Sequence, residues 1–245
     1  MKKAVGKIAL VTGAGHRLGR AIALALARQG FTVLVHYHSS GRKAAQTLRL
    51  VRKVAPGSAS LRADLRRPAA IRRMVGAVVR RFGRIDLLVN NAGIFRPDTL
   101  MSVTETSWDS VLDANLKSAF FCTQEVGKVM KKQKGGRIIN IGSVGAEEAW
   151  TGYIPYSVAK TGVHVLTRAA AKALAPEIAV NAIAPGFILL PGEERAGAVR
   201  MPLGRIPLGR YGTPEDITSM VVYLAVTSQY ITGQIIAVDG GRSLL

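Results

Sequence analysis

Short apolar runs rich in β-branched residues alternate with helix-like stretches along nearly the whole of this 245-residue chain. Lys7 to Val11 is one such run, and it ends directly in Thr12-Gly13-Ala14-Gly15. That pattern predicts a buried strand entering a glycine-rich turn. Leu18 to Arg28 is Ala/Leu-rich and reads as a helix stopped by Gly30. The alternation then repeats. Strands are predicted at 31–37, 58–63, 86–90, 136–141, 178–183 and 234–238, and helices at about 42–54, 68–82, 104–130, 153–174 and 215–226. The long helix carries a candidate cap at Thr104, and a short helix is expected around Glu193 to Val199. Strands alternating with helices imply a mostly parallel sheet covered on both faces, an α/β doubly wound architecture. About seven strands fill one domain over residues 1–245, with no linker or long-period repeat to mark a second.

Composition sets the outer limits. With 48% hydrophobic residues the chain can bury a sizeable core, which excludes wholesale disorder. One cysteine excludes an intramolecular disulfide framework and fits a reducing compartment, so the expected location is the cytoplasm. No uncharged apolar run reaches the ~18 residues of a membrane span, and Ile8 to Val11 is too short for a signal-peptide core.

The formal net charge of +19 suggests a nucleic-acid binder at first sight. Its distribution argues otherwise. Residues 1–85 hold 19 Lys+Arg against the single acid Asp64, whereas residues 86–245 hold 15 against 14. Much of the excess lies on the two helices predicted at 42–54 and 68–82, where charges interleave with apolar residues at helical spacing. This reads as a solvated outer face. A polyanion-binding face is the alternative, but it lacks interleaved aromatics and any helix-turn-helix or zinc signature.

Gly13, Gly15 and Gly19 sit between the first strand and the first helix. Glycines there let the backbone approach a pyrophosphate, and the helix N-terminus offers N–H groups to it. The second strand ends His36-Tyr37-His38-Ser39-Ser40, without the acid that would bind a ribose 2′-hydroxyl. Arg17 and Arg42 lie nearby, and basic and hydroxyl groups suit a 2′-phosphate, so the expected cofactor is NADP(H). His36 and His38 are candidates for that site or for strand packing and surface. Asp64 suits either an adenine amino group or a turn cap.

Tyr156 and Lys160 stand four residues apart on a predicted helix and so share a face. An ammonium beside a phenol favours the phenolate and lowers the tyrosine pKa, which makes tyrosine usable as a general acid/base. Ser143, at the end of the preceding strand, can orient a carbonyl. Asn115 lies within an apolar helix, where a buried amide bonded to backbone is the plain alternative.

As a set these residues resemble the classical short-chain dehydrogenase/reductases over essentially the whole chain. The resemblance rests on Thr12 to Gly19, Asp64, Asn90-Asn91-Ala92-Gly93, Asn115, Ser143, Tyr156-Ser157-Val158-Ala159-Lys160, Pro185-Gly186 and Val238-Asp239-Gly240-Gly241. It implies a single Rossmann-type domain and hydride transfer between nicotinamide and substrate. It further implies that Tyr156 donates a proton to the carbonyl oxygen and that Lys160 tunes Tyr156 and holds the nicotinamide ribose. Ser143 would polarise the substrate, and Asn115 would anchor a water. Gly13, Gly15, Arg17, Leu18, Gly19, His36, His38, Ser39, Asp64, Leu65, Asn91, Ala92 and Gly93 would contact the cofactor, with Pro185, Gly186 and Ile188 behind the nicotinamide.

Arg17 stands where the family usually has glycine. Together with His36-Tyr37-His38-Ser39 it resembles the pteridine reductase branch, as does Phe95, which would stack on a pterin ring or else pack in the core. Ser143 departs from that branch, whose members carry an acid there. The expected function is NADPH-dependent reduction of a carbonyl or pterin-like substrate. The alternative is a 3-oxoacyl carrier-protein reductase, for which Lys128, Lys131, Lys132 and Lys134 would offer basic docking surface. No metal is expected. The substrate lid is predicted at about 187–213, Cys122 is expected to be buried and inert, and Trp150 to lie within reach of the substrate. The resemblance also implies a homotetramer or homodimer built on the helices at 104–130 and 153–174.

Overall fold

The computed structural model describes residues 4–190 and 202–245. Seven strands form one parallel sheet: β1 (Ile8–Val11), β2 (Thr32–Tyr37), β3 (Ala59–Arg62), β4 (Leu87–Asn90), β5 (Gly136–Ile141), β6 (Ile178–Pro185) and β7 (Ile235–Val238). Their order is β3-β2-β1-β4-β5-β6-β7. The order reverses between β1 and β4, where Val11 pairs with both Val35 and Val89. A crevice opens beyond the strand ends at such a reversal.

Helices α1 (Arg17–Arg28), α2 (Gly41–Arg52) and α8 (Pro214–Val222) cover one face. α3 (Pro68–Phe82), α5 (Ser118–Lys132) and α7 (Ile154–Leu174) cover the other. α4 (Glu105–Leu112) and the one-turn α6 (Gly145–Glu148) lie at the strand ends. The basic helices behave as their periodicity requires. α3 buries Ile71, Met74, Val75 and Val78, and Arg72, Arg73, Arg80 and Arg81 are exposed. α2 buries Ala44, Thr47 and Val51 and exposes Arg42, Lys43, Arg49 and Arg52. The excess charge is therefore an outer face.

The long helix expected at 104–130 is not continuous. Thr104 caps α4 in a capping box with Ser107. The chain then widens into a π-helical turn over Asp113–Lys117 before α5 begins. Asn115 lies in that turn, and its Nδ2 donates both to Val111 O and to Ile94 O, each at 3.0 Å. A contact outside the helix thus accompanies the change of helical pitch. The helix expected at 193–199 lies outside the described residues, as do residues 191–201 of the predicted lid.

A buried polar string ties the two halves together. Asn90 and Asn140 are paired in register, and Asn90 Nδ2 donates to Asn140 Oδ1 at 2.9 Å. It also donates to Thr123 Oγ1 on α5 at 3.0 Å, and Asn140 Nδ2 donates to Thr167 Oγ1 on α7 at 2.8 Å. Asn140→Ala would leave two buried partners short of a bond, so it should cost about 2–3 kcal/mol, read from the urea midpoint of unfolding.

Candidate active site

A groove of about 550 Å³ runs past the ends of β1, β2 and β3. Its floor is the β1–α1 turn, with Gly13, Arg17, Leu18 and Gly19 on the wall. Gly13 has φ +63°, and a Cβ there would stand 2.9 Å from Ala92 Cα. His16, at the N-cap of α1, makes no side-chain cap, and no acid lies in the first helical turn. An N-terminus with neither a side-chain cap nor an acid beside it fits a phosphate. Arg17 adopts φ +53°, a left-handed conformation that an L side chain adopts only at a cost. The backbone keeps the shape that glycine would favour while a guanidinium stands at the groove.

His38, Ser39, Asp64, Leu65, Asn91, Ala92 and Gly93 also line the groove. Of two further expected contacts, Gly15 is not among the lining residues and His36 is. Gly15 packs against Ser40 and Ala44, and its carbonyl accepts from Thr47 Oγ1. His36 has no free ring nitrogen: Nδ1 accepts from Gly13 N–H at 3.1 Å and Nε2 pairs with Ala63 O at 3.1 Å. Burial lowers it to about 4, so it is neutral and braces the glycine turn from below. Asp64 is forked by Arg66 at 2.9 Å, with Arg67 at 3.7 Å, and the Arg66 hydrogen bonds lower its carboxyl to about 2. Arg42 is exposed and is not among the lining residues; Ser40 and Arg66, which sequence reasoning missed, are.

A second cleft, of about 820 Å³, continues from the groove past β4, β5 and β6. It is lined by Phe95, Asn115, Ser143, Tyr156, Lys160, Pro185, Gly186 and Ile188, so the expected catalytic residues converge. Ser143 and Tyr156 share the cleft, and Ser143 Oγ accepts from Gly145 N–H at 3.1 Å. Lys160 is buried, with Nζ 5.6 Å from the Tyr156 ring centre and donating to Ile141 O at 2.8 Å. Asn115 Oδ1 is buried and unpartnered, directed at Gly93. A bridging water suits such an acceptor.

One electrostatic expectation is corrected. Burial pushes the Tyr156 phenol up, opposed only by the Ser143 hydroxyl. Burial lowers Lys160 to about 8, and at 5.6 Å its ammonium does not overcome the desolvation of the phenol in the chain alone. Tyr156 therefore holds its proton at neutral pH, the form needed for donation. His164, one turn beyond Lys160, is lowered to about 4, by burial first and then by Lys160.

Spacing also missed much of the aromatic wall. Phe95 stacks on Tyr153 at 4.1 Å and 9°, and Trp150 lies near-parallel to Tyr156 at 6.3 Å and 12°. The Phe95 ring meets Tyr156 edge-on at 4.9 Å and 79°. Arg242, near the end of the chain, also lines the cleft. Cys122 is buried as expected, its thiol pushed up to about 12.

A doubly wound sheet with a phosphate-fitting turn and a Ser–Tyr–Lys cluster defines a nucleotide-dependent oxidoreductase. The chain belongs to the classical short-chain dehydrogenase/reductase family. A family profile described as enoyl-(acyl carrier protein) reductase matches residues 13–243. A 3-oxoacyl-[acyl-carrier-protein] reductase of Staphylococcus aureus is 41% identical over 96% of this chain and 97% of its own. One from Synechocystis is 40% identical over 98% of both. Among solved structures, one described as a short-chain alcohol dehydrogenase from Sinorhizobium meliloti is 36% identical with a TM-score of 0.89, covering 98% of this chain and 97% of that one. One described as a gluconate dehydrogenase from Agrobacterium tumefaciens is 34% identical with a TM-score of 0.91, covering 99% and 98%. The names of both sequence relatives match the alternative substrate reading. They do not bear on the pteridine reductase branch.

The buried ammonium has a signature in stability. Lys160 titrates at about 8 when folded and at 10.5 as a free side chain, so between those values the unfolded chain binds more protons. Stability relative to Lys160→Met should therefore rise by about 2–3 kcal/mol across that window. Urea unfolding of both proteins at pH 7 and pH 10 reads it, and an unchanged difference would count against burial as the cause.

Proposed function

We propose that the protein reduces the 3-oxo group of an acyl thioester to a hydroxyl. The observation that carries this is the convergence of Ser143, Tyr156 and Lys160 on a cleft continuous with the nucleotide groove. Bound NADPH would supply the hydride to the carbonyl carbon. The substrate oxygen would sit between the hydroxyls of Ser143 and Tyr156, and Tyr156 would give it the proton as charge develops. Lys160 would keep a positive charge beside the resulting phenolate, and the Asn115 carbonyl oxygen would hold a water through which the proton is replaced. Gly13, Leu18, Asn91 and Ala92 would cradle the dinucleotide, Arg17, His38 and Ser39 the 2′-phosphate side.

An acidic carrier would meet Lys132 and Lys134, which are exposed; Lys128 and Lys131 are already paired with Glu125 and Glu177. A flat heterocycle is a second reading, favoured by Phe95, which is 57% exposed at the cleft with its ring stacked on Tyr153. The working compartment is the cytoplasm in this reading; no helix among the described residues is long and apolar enough to cross a membrane.

One assay tests the chemistry. NADPH oxidation should proceed with an acetoacetyl thioester, and far more slowly with NADH. Tyr156→Phe should lower kcat by about a hundredfold or more. Turnover of a dihydropterin but not the thioester would move the function to the second reading, and an unimpaired Tyr156→Phe would sink the mechanism.

The expected homotetramer or homodimer has support on the surface. Trp108, Phe120, Val158 and Val165 are large, exposed apolar side chains on α4, α5 and α7. Such a patch suits burial between copies. Val165→Asp with Phe120→Asp should give a folded species of lower mass by light scattering; an unchanged mass would place the interface elsewhere.

A further inference from the structure

Trp150 has more restraints than a packing residue needs. Its indole N–H donates to Glu148 Oε2 at 2.6 Å. Glu148 is held in turn by Arg242, whose Nε and Nη2 donate at 2.8 and 2.7 Å. The Arg242 guanidinium lies 5.4 Å from the Trp150 ring centre. The indole is near-parallel to Tyr156, and Phe95 meets it edge-on at 6.2 Å and 80°. A Cβ at Gly145 would stand 2.9 Å from the indole, so the ring lies flat against that backbone.

We propose that Trp150, fixed by Glu148 and Arg242, is the specificity-determining wall of the substrate cleft and restricts the length of the acyl group that can lie beside Tyr156. The inference rests on the 3-oxoacyl reading above. Its physical basis is rigidity. An indole on a loop normally swings, and a swinging ring admits long and short chains alike. Here the N–H is bonded to Glu148 and the ring packs on Gly145, Tyr156 and Arg242, so a longer chain must break a charge-assisted pair to move the ring. Arg242 and Glu148 stand 94 residues apart, and their side chains are only 16% and 22% exposed. The closing turn of the chain thus fixes the wall. Asp239 orders that turn, accepting from Gly241 N–H and Ser243 N–H at 2.9 and 2.7 Å. The pair is neutral, with two of the three guanidinium nitrogens bound to Glu148. Arg242 therefore acts as a positioning residue, not as an anion site.

The test compares 3-oxoacyl-coenzyme A substrates of four and twelve carbons with NADPH. The wild-type protein should prefer the shorter by about tenfold or more in kcat/KM, a size well within pocket discrimination. Trp150→Ala should erase most of that preference, chiefly through a lower KM for the longer substrate. Arg242→Ala should shift the ratio the same way, and Arg242→Lys, which cannot fork onto the carboxylate, should fall between. Trp150→Phe, which keeps a ring but loses the N–H held by Glu148, should also fall between. A ratio unchanged within about twofold in Trp150→Ala, or equal loss on both substrates, overturns the wall alone. No turnover of either thioester by the wild-type protein overturns the 3-oxoacyl reading and the wall with it.

Discussion

The buried ammonium of Lys160 is the constraint around which the site is built. It has lost its water, and among the described residues its hydrogen-bond partner is the carbonyl of Ile141. A charge so placed is costly unless its surroundings compensate it. The compensation is spread over several elements. β5 ends where its last carbonyl can accept, and the π turn carries the unpartnered Asn115 oxygen to the same place. Burial and Lys160 together hold His164 neutral. What remains is a positive site next to a protonated phenol, ready for the sugar hydroxyls of a nucleotide and for negative charge appearing on a carbonyl oxygen.

Short-range patterns were legible in the sequence for physical reasons. α3 spans the predicted 68–82 because its apolar period is unbroken and Gly83, at φ +74°, ends it. The glycine turn was legible because its geometry depends on neighbours along the chain. The π turn was not. Periodicity through 104–130 looks continuous, and the deviation accompanies a bond from Asn115 to Ile94, a partner 21 residues away. The Arg242–Glu148 pair was beyond spacing arguments altogether. The electrostatics failed for a related reason: i to i+4 spacing places Lys160 near Tyr156 but says nothing of how deeply each is desolvated, and desolvation decides the sign of the shift.

Two unlike halves meet at the sheet reversal. On one side the groove is built from backbone, with a glycine turn, a helix N-terminus that has no side-chain cap and a neutral histidine brace. On the other the cleft is built from side chains, four aromatic rings and a cation–carboxylate pair. The first suits a ligand recognised by phosphates, which vary little. The second suits a substrate recognised by shape, which is where members of one fold differ.

The basic first third divides between the groove and the outer helix faces. In the groove, the single acid Asp64 is held by Arg66 and Arg67 and kept ionised, so local charge is shifted rather than removed, and the net field stays positive toward a phosphorylated ligand. Outside it, β3 is the edge strand of the sheet, with Ser60 and Arg62 exposed and the cationic faces of α2 and α3 on either side. An edge strand offers unpaired backbone groups to any other strand, and charge on the edge is a standard deterrent. Like charges on two copies repel when their edges approach. The outer arginines thus lie on the exposed faces of α2 and α3, which flank the β3 edge of the sheet.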